Sequence, residues 1–397
     1  MIKNKLSKAF TLAAGTLLLG MTSASFAADK HVAITQIVEH PALDAARQGV
    51  KDELEAQGYV EGTNLKWSYE SAQGAPATAS QIAKKFAGEN PDVVVGIATP
   101  SAQALAASAR GIPLVYSAVT DPIGAKLVKS VTEGNKNATG VSDLSPVKAQ
   151  MELVKQIVPT AKRLGVIYNP GETNSVVLIE LVKQYAPELG MTVVEGSSPK
   201  SSDVLAAARS LVGKVDAIYI PTDNTVVSAF ESVIKVAYAA KIPVIAADTD
   251  SVKRGAAAAL GFNYYDLGRQ TGKIVVSILK GQKTIDIIPQ GVSKTELFVN
   301  PESALKMGVR LSKEFVESAK VVISEESLKA EMEAAAKAEA DAAAKVESDK
   351  EMAMAKEAAD KAVEVAKEAA AKAEVVAKEV ADTAVEAARE AAAAIKK

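Results

Sequence analysis

Short apolar runs alternate with amphipathic helical stretches from His31 to about Leu311. The runs cover 32–38, 65–70, 93–98, 113–119, 139–141, 164–168, 192–195, 217–220, 243–247 and 256–262, and most are near-continuous in Val, Ile, Leu and Ala. Between them, apolar residues recur every three to four positions over 42–57, 77–87, 102–109, 147–157, 174–185, 202–211, 226–240 and 267–279. Strands without a polar face are covered on both sides, so the pattern predicts an α/β chain with doubly wound parallel sheets.

Ten strands of this length exceed one compact sheet, and two successive Rossmann-like lobes fit better. The join is expected at Ser142-Asp143-Leu144-Ser145-Pro146, where one series closes and Leu164 opens the next. After Gly255 the chain is expected to return and to cross again near 290–293. That places lobe one at 28–143 and 256–290, and lobe two at 144–255 and 291–322. Several crossings make a multi-strand hinge, which suits closure around a ligand.

Beyond Ser324 the pattern changes. The last Pro is Pro301 and the last Gly is Gly308, and residues 324–397 are mostly Ala, Glu and Lys. Ser324 with Glu325 and Glu326 starts a helix, and Lys396 and Lys397 suit its C-terminal dipole. One long C-terminal helix is predicted, about 110 Å at 1.5 Å per residue. It holds 18 acidic and 12 basic residues, many in Glu–Lys pairs near i,i+4. Its large apolar residues, among them Leu328, Met332, Val346, Val363, Val376 and Ile395, keep no strict heptad, which argues against a leucine-type coiled coil. A solvated spacer, an envelope-structural element and self-association through the helix all remain open.

Composition narrows the class. Residues 1–27 read as an export signal: Lys3, Lys5 and Lys8, an apolar stretch to Met21, then Ser25-Phe26-Ala27. With no cysteine in the chain there is no lipid-anchor thiol, disulfide or thiolate metal site. A periplasmic protein held together by burial is expected. Net charge is −2 with a single Trp and no basic stripe, a poor nucleic-acid binder. Two histidines, no cysteine and no GxSxG leave an exported enzyme without a nucleophile–base pair. Asp223 and Asp248 could in principle do glycosidase-type work, though nothing in their spacing requires it. No GxGxxG or GxxxxGK[ST] is present, and no cofactor or metal is expected.

The chemistry-bearing residues sit at strand ends. Ile220-Pro221-Thr222-Asp223-Asn224 stops an apolar run at a Pro and delivers polar side chains to a helix start. Similar arrangements follow Val38, Ala98, Val119, Tyr168 and Ala247, which is how an open α/β sheet builds a ligand cleft.

Seven segments in order carry a family resemblance: Ile37-Val38-Glu39-His40-Pro41-Ala42-Leu43-Asp44, Gly96-Ile97-Ala98-Thr99-Pro100-Ser101, Ala118-Val119-Thr120-Asp121-Pro122, Thr139-Gly140-Val141-Ser142-Asp143, Asn169-Pro170-Gly171-Glu172-Thr173-Asn174-Ser175, Pro221-Thr222-Asp223-Asn224-Thr225-Val226 and Gly261-Phe262-Asn263-Tyr264-Tyr265-Asp266. With them, residues 30 to about 311 resemble the substrate-binding proteins of ABC importers that take up tryptophan or tyrosine. The resemblance implies the type I periplasmic binding protein fold, an amino-acid ligand between the lobes and an inner-membrane permease as partner. A purine, a sugar or another small solute stays open, since one fold switches ligands through a few side chains. The tail departs from the pattern.

An amino-acid zwitterion needs donors for its carboxylate and an acceptor for its ammonium. Thr99 and Ser101, opening a helix, are candidates for the carboxylate, against plain N-capping. Asp223 is the first choice for the ammonium, with Asn224 and Asn174 as hydrogen-bonding neighbours and Asp248 as the second carboxylate. Asp121, within Asp-Pro, ranks lower because such pairs initiate turns. Glu39 and His40 are expected at the cleft mouth. Tyr264 and Tyr265 could stack on an aromatic ligand or pack within the lobe, and Trp67 is expected in the core.

Overall fold

The computed structural model describes residues 29–292 and 294–395; the expected export signal lies outside the described residues. The globular unit ends at Ser324 and contains two sheets. The first orders its strands β11-β5-β4-β3-β1-β2, with β1 (Lys30–Gln36), β2 (Leu65–Ser71), β3 (Val93–Ile97), β4 (Leu114–Ser117), β5 (Ala138–Ser142) and β11 (Gln290–Gly291), all pairs parallel. The second orders β13-β12-β10-β9-β8-β6-β7, with β6 (Arg163–Tyr168), β7 (Thr192–Ser197), β8 (Ala217–Ile220), β9 (Val244–Ala246), β10 (Ala258–Gly261), β12 (Glu296–Val299) and β13 (Val321–Val322). Here β12 runs antiparallel to β10. This is the two-lobed α/β architecture the alternating pattern predicts, with the long C-terminal helix added.

Each sheet has its own core. Val93, Val94, Val95 and Ile97 of β3 are fully buried among helices α1 (Pro41–Ala56), α2 (Pro76–Glu89), α3 (Thr99–Ser108) and α10 (Tyr264–Leu279). In the second lobe the sheet packs against α4 (Val147–Ile157), α5 (Thr173–Glu188), α6 (Val204–Ser210), α7 (Asn224–Ser228), α8 (Phe230–Ala240) and α9 (Asp250–Lys253), with α11 (Pro301–Lys306) and α12 (Lys313–Glu317) closing the chain end. Trp67 is half-buried against the first core.

The chain passes between lobes three times: after Ser142, after Gly261 and after Gly291. The second passage corrects the expected boundary at 256. Strand β10 pairs in parallel with β9, Ala258 opposite Ile245, and Ala257 N–H bonds to the Val244 carbonyl. Ala256 through Ala259 are fully buried in the second lobe. The chain leaves only at Asn263, whose Oδ1 accepts from Asp266 N–H and caps α10. On either side of the crossing expected near 290–293 stand two strands, β11 and β12, one in each sheet.

Helix α10 is seated on α1 by glycine. A Cβ on Gly268 would overlap the Ala46 carbonyl, and one on Gly49 would overlap the Tyr265 carbonyl. Across the same contact Arg269 reaches the buried Glu53 at 2.9 Å. The segment after the second crossing is thus locked to lobe one.

The second unit is a single helix, α13 (Glu325–Ile395). The pairs Glu357–Lys361 and Glu368–Lys372 close at 2.8 Å each, as i,i+4 spacing allows. Its larger apolar side chains, such as Val363 and Val365, are exposed.

Candidate functional site

A cavity with an atom-free volume of about 330 Å³ opens where the carboxyl ends of both sheets face each other. Lobe one contributes His40, Ala42 and Leu43 after β1, Ala118 and Thr120 after β4, Asp143 after β5, and Tyr264 at the head of α10. Lobe two contributes Asn174 from the start of α5, Thr222, Asp223 and Asn224 after β8, Val227 and Asp248.

Of the sequence-predicted residues, the cavity gathers Asp223, Asn224, Asn174, Asp248, His40 and Tyr264. Glu39 is exposed beside it and accepts from the Tyr69 hydroxyl at 3.1 Å. Asp121 takes its turn-forming role: Oδ1 accepts from Ile123 and Gly124 N–H at 3.1 and 2.9 Å. Thr99 and Ser101 are buried at the start of α3, off the cavity lining, and their hydroxyls have no hydrogen-bond partner. Tyr265 donates to Asp52 on α1 at 2.8 Å and so packs within lobe one.

Asp223 lines the cavity with its oxygens already engaged. Oδ1 accepts from Val226 N–H at 2.8 Å, and Oδ2 from Asn169 N–H and Ser175 Oγ, each at 2.6 Å. It is the N-cap of α7 and a tie to the β6–α5 loop. Beside it the buried Glu172 accepts from Asn224 Nδ2 at 2.5 Å, Thr225 Oγ1 at 2.7 Å and Asn174 Nδ2 at 3.1 Å. Burial and this neighbouring Glu172 push the Asp223 carboxyl up, against the pull of its donors.

Asp143, which the sequence places in the linker, is held more lightly. Oδ1 accepts from Thr120 Oγ1 at 3.2 Å and Oδ2 from the Tyr264 hydroxyl at 2.8 Å, so each oxygen keeps acceptor capacity. Burial raises its pKa. Asp248 accepts from Ser251 N–H at 2.9 Å and Ser251 Oγ at 2.6 Å, and burial raises it too. Asp143 was legible, since Val141-Ser142-Asp143 repeats the strand-then-polar pattern of the other site segments.

Several buried polar atoms of the wall have no protein partner: Asn174 Oδ1, Thr222 Oγ1 and both ring nitrogens of His40. The Asn174 amide is oriented by the acceptors around Nδ2, Glu172 and the Thr222 carbonyl at 3.2 Å, which leaves Oδ1 free to accept. Burial lowers the His40 pKa to about 3, helped by Arg254 and opposed by Asn224, so the ring is neutral at physiological pH. Arg254 is itself occupied, by Glu231 at 2.7 and 2.8 Å and the Val227 carbonyl at 2.7 Å. Among the described residues, no lysine or arginine lines the cavity. At the adjoining strand ends Ala98 and Ala118 hold φ of 68° and 54°, strained for residues with a Cβ.

A family model described as ABC transporter substrate binding protein matches residues 31–323. A tyrosine-binding protein of Clostridioides difficile (strain R20291) is 40% identical over 301 residues, covering 76% of this chain and 87% of the relative. A solved conserved domain protein from Vibrio cholerae is 49% identical with a TM-score of 0.73, covering 74% of this chain and 99% of its own. A structure from Streptococcus pneumonia in complex with L-Trp is 34% identical with a TM-score of 0.72, covering 75% of this chain and all of its own, at 100%.

Proposed function

We infer that this chain, which belongs to the family of ABC transporter substrate-binding proteins, captures an aromatic amino acid and presents it to an inner-membrane permease. The family is typically extracytoplasmic, and two of the proteins compared above are a tyrosine-binding protein and a complex with L-Trp. The expected export signal supports release into the periplasm.

One observation carries the amino-acid reading. The cavity wall offers acceptors from both lobes, Asp143, Asp248, Asn174 Oδ1 and Thr222 Oγ1, and no cationic side chain competes for them. That is the surrounding an ammonium group needs when it leaves water, because a buried cation must be paired and hydrogen-bonded. Asp143 is the ammonium partner in this reading, a role the sequence assigns to Asp223. Ala42, Leu43, Ala118 and Val227 supply the apolar wall for a side chain, and Tyr264 the aromatic one. The tyrosine and tryptophan of the relatives favour an aromatic ligand. Capture follows from the three crossings: ligand contacts made by both lobes favour the closed arrangement.

The test is a thermal-shift and calorimetric screen of protein refolded to remove carried solute, against the twenty amino acids, nucleobases and common sugars. At 100 times its Kd a ligand should stabilise by about 2.7 kcal/mol. A selective response to Tyr, Trp or Phe is expected. Silence to every amino acid with a response to a sugar or nucleobase would replace the solute and keep the family.

A further inference from the structure

The C-terminal helix carries a pattern that solute binding does not use. From Met352 the sequence recurs every eleven residues: MAMAKEAADKA, VEVAKEAAAKA and EVVAKEVADTA cover 352–384, and VEAAR opens a fourth copy at Val385. Eleven residues close three helical turns, so each repeat position forms a row nearly parallel to the axis.

The rows segregate. Ala355, Ala366, Ala377 and Ala388 centre an apolar face that two more alanine rows widen. Met352, Val363 and Val385 edge it on one side, and Met354, Val365 and Val376 on the other. All six of these are more than half exposed, from 54% to 68%. Just outside the first edge run Lys356, Lys367, Lys378 and Arg389; just outside the second stand Lys361 and Lys372. Glu364 and Glu386 occupy the middle of the polar face, with Glu357, Glu368 and Glu379 on one side of them and Asp360 and Asp382 on the other, so residues 352–389 hold eight acidic and six basic side chains. One exchange interrupts the pattern, Glu374 standing at the apolar edge and Val375 on the polar side.

We propose that residues 352–389 lie flat along an anionic lipid surface. Basic rows on both borders of an apolar face let the ammonium groups reach headgroup phosphates while the Val, Met and Ala rows meet the acyl boundary. The glutamates then face water, and Lys361 and Lys372, which pair at i,i+4 with Glu357 and Glu368 in the free helix, exchange those partners for phosphate at the surface. No described helix is long and apolar enough to cross a membrane. A second copy fits less well, because an interface on the alanine face would set the bordering basic rows against one another with the glutamates turned away. With alanine at its centre the face inserts shallowly, so attachment rests on the placement of the bordering basic rows rather than on net charge, and is reversible with salt.

Co-sedimentation of the full chain with vesicles tests this. Binding is expected to equal parts phosphatidylglycerol and phosphatidylcholine at low salt, with none to phosphatidylcholine alone and release at high salt. The triple variant Lys356→Gln, Lys367→Gln, Lys378→Gln should partition about a hundredfold more weakly, near fivefold per basic residue. Glu357→Gln, Glu368→Gln, Glu379→Gln should bind at least as well as the parent. Circular dichroism and the solute response, unchanged in both, show that each remains folded. A full chain left in the supernatant with anionic vesicles, or a lysine variant that binds like its parent, overturns the proposal. So does a concentration-dependent oligomer that Val363→Gln with Val365→Gln dissolves, which would give the face to a second copy.

Discussion

The two walls of the cavity treat their carboxyl groups differently. In the lobe-two wall Asp223 receives three donors from its own lobe, two of them backbone N–H groups. In the lobe-one wall Asp143 is held by two hydroxyls alone. Both are buried strand-end aspartates, yet the first is consumed in holding α7 to the β6–α5 loop and the second keeps lone pairs that no protein donor takes. Residue type and position at a strand end do not separate an anchoring carboxylate from one with open acceptor capacity. The number of protein donors does.

The largest expected effect that sharpens this contrast is on pH. His40 titrates at 6.5 in an unfolded chain and at about 3 in its place in the lobe-one wall. Its contribution to stability is therefore complete above 6.5 and lost as pH falls toward 3, at about 1.4 kcal/mol per pH unit and up to roughly 4–5 kcal/mol in all. Asp223 contributes the opposite slope across pH 4.5 to 7, so the measure is the change on His40→Leu: the pH dependence of urea unfolding should shift by up to about 1.4 kcal/mol per pH unit, and an unchanged dependence would mean the ring is solvated. Asp143 and Asp248 act in the opposite sense: their raised folded values favour the fold below 3.8 and less as pH rises through them. An ammonium ligand relieves that cost, so its binding should release protons and weaken on acidification.

Next in size is Asp223→Ala, which strands two buried backbone N–H groups and the Ser175 hydroxyl and should cost about 3 kcal/mol or more of unfolding free energy. The comparison breaks if this variant unfolds like the parent and loses only affinity. Asp143→Asn should do the reverse. Removing the charge should weaken ligand binding by about 2–3 kcal/mol, on the order of a hundredfold, while stability without ligand stays within about 1 kcal/mol. Equal losses in both measurements would make Asp143 a second anchor. Smallest is Ala98→Gly, which relieves a positive φ and should stabilise by roughly 1 kcal/mol.

Much of the fold was readable because burial on both faces leaves uninterrupted apolar runs, as in Val93 to Ile97. The return to lobe one is not legible at Ala256, because an alanine run after a glycine carries no sign of which sheet it will join; only pairing with β9 decides that. At the site, six strand-end residues were legible from position. Asp143 was passed over as linker, being both crossing and wall. Thr99 and Ser101 satisfy a helix-start pattern whether or not a cavity reaches them. In the tail, a period of eleven residues escapes a heptad template.

Tyr264 has one further consequence. It is the first residue of α10, directly beyond the second crossing, and its hydroxyl holds Asp143 at the first. Under the function proposed above, the hydrogen bond that would shape the solute's seat thus joins two of the three passages between the lobes. Exchanging side chains here to admit a new solute would also alter how often the empty protein closes. A variant's measured affinity would then be its intrinsic affinity scaled by the fraction of competent molecules. Evolution of specificity at this end of the cleft is, for that reason, also evolution of the resting ensemble.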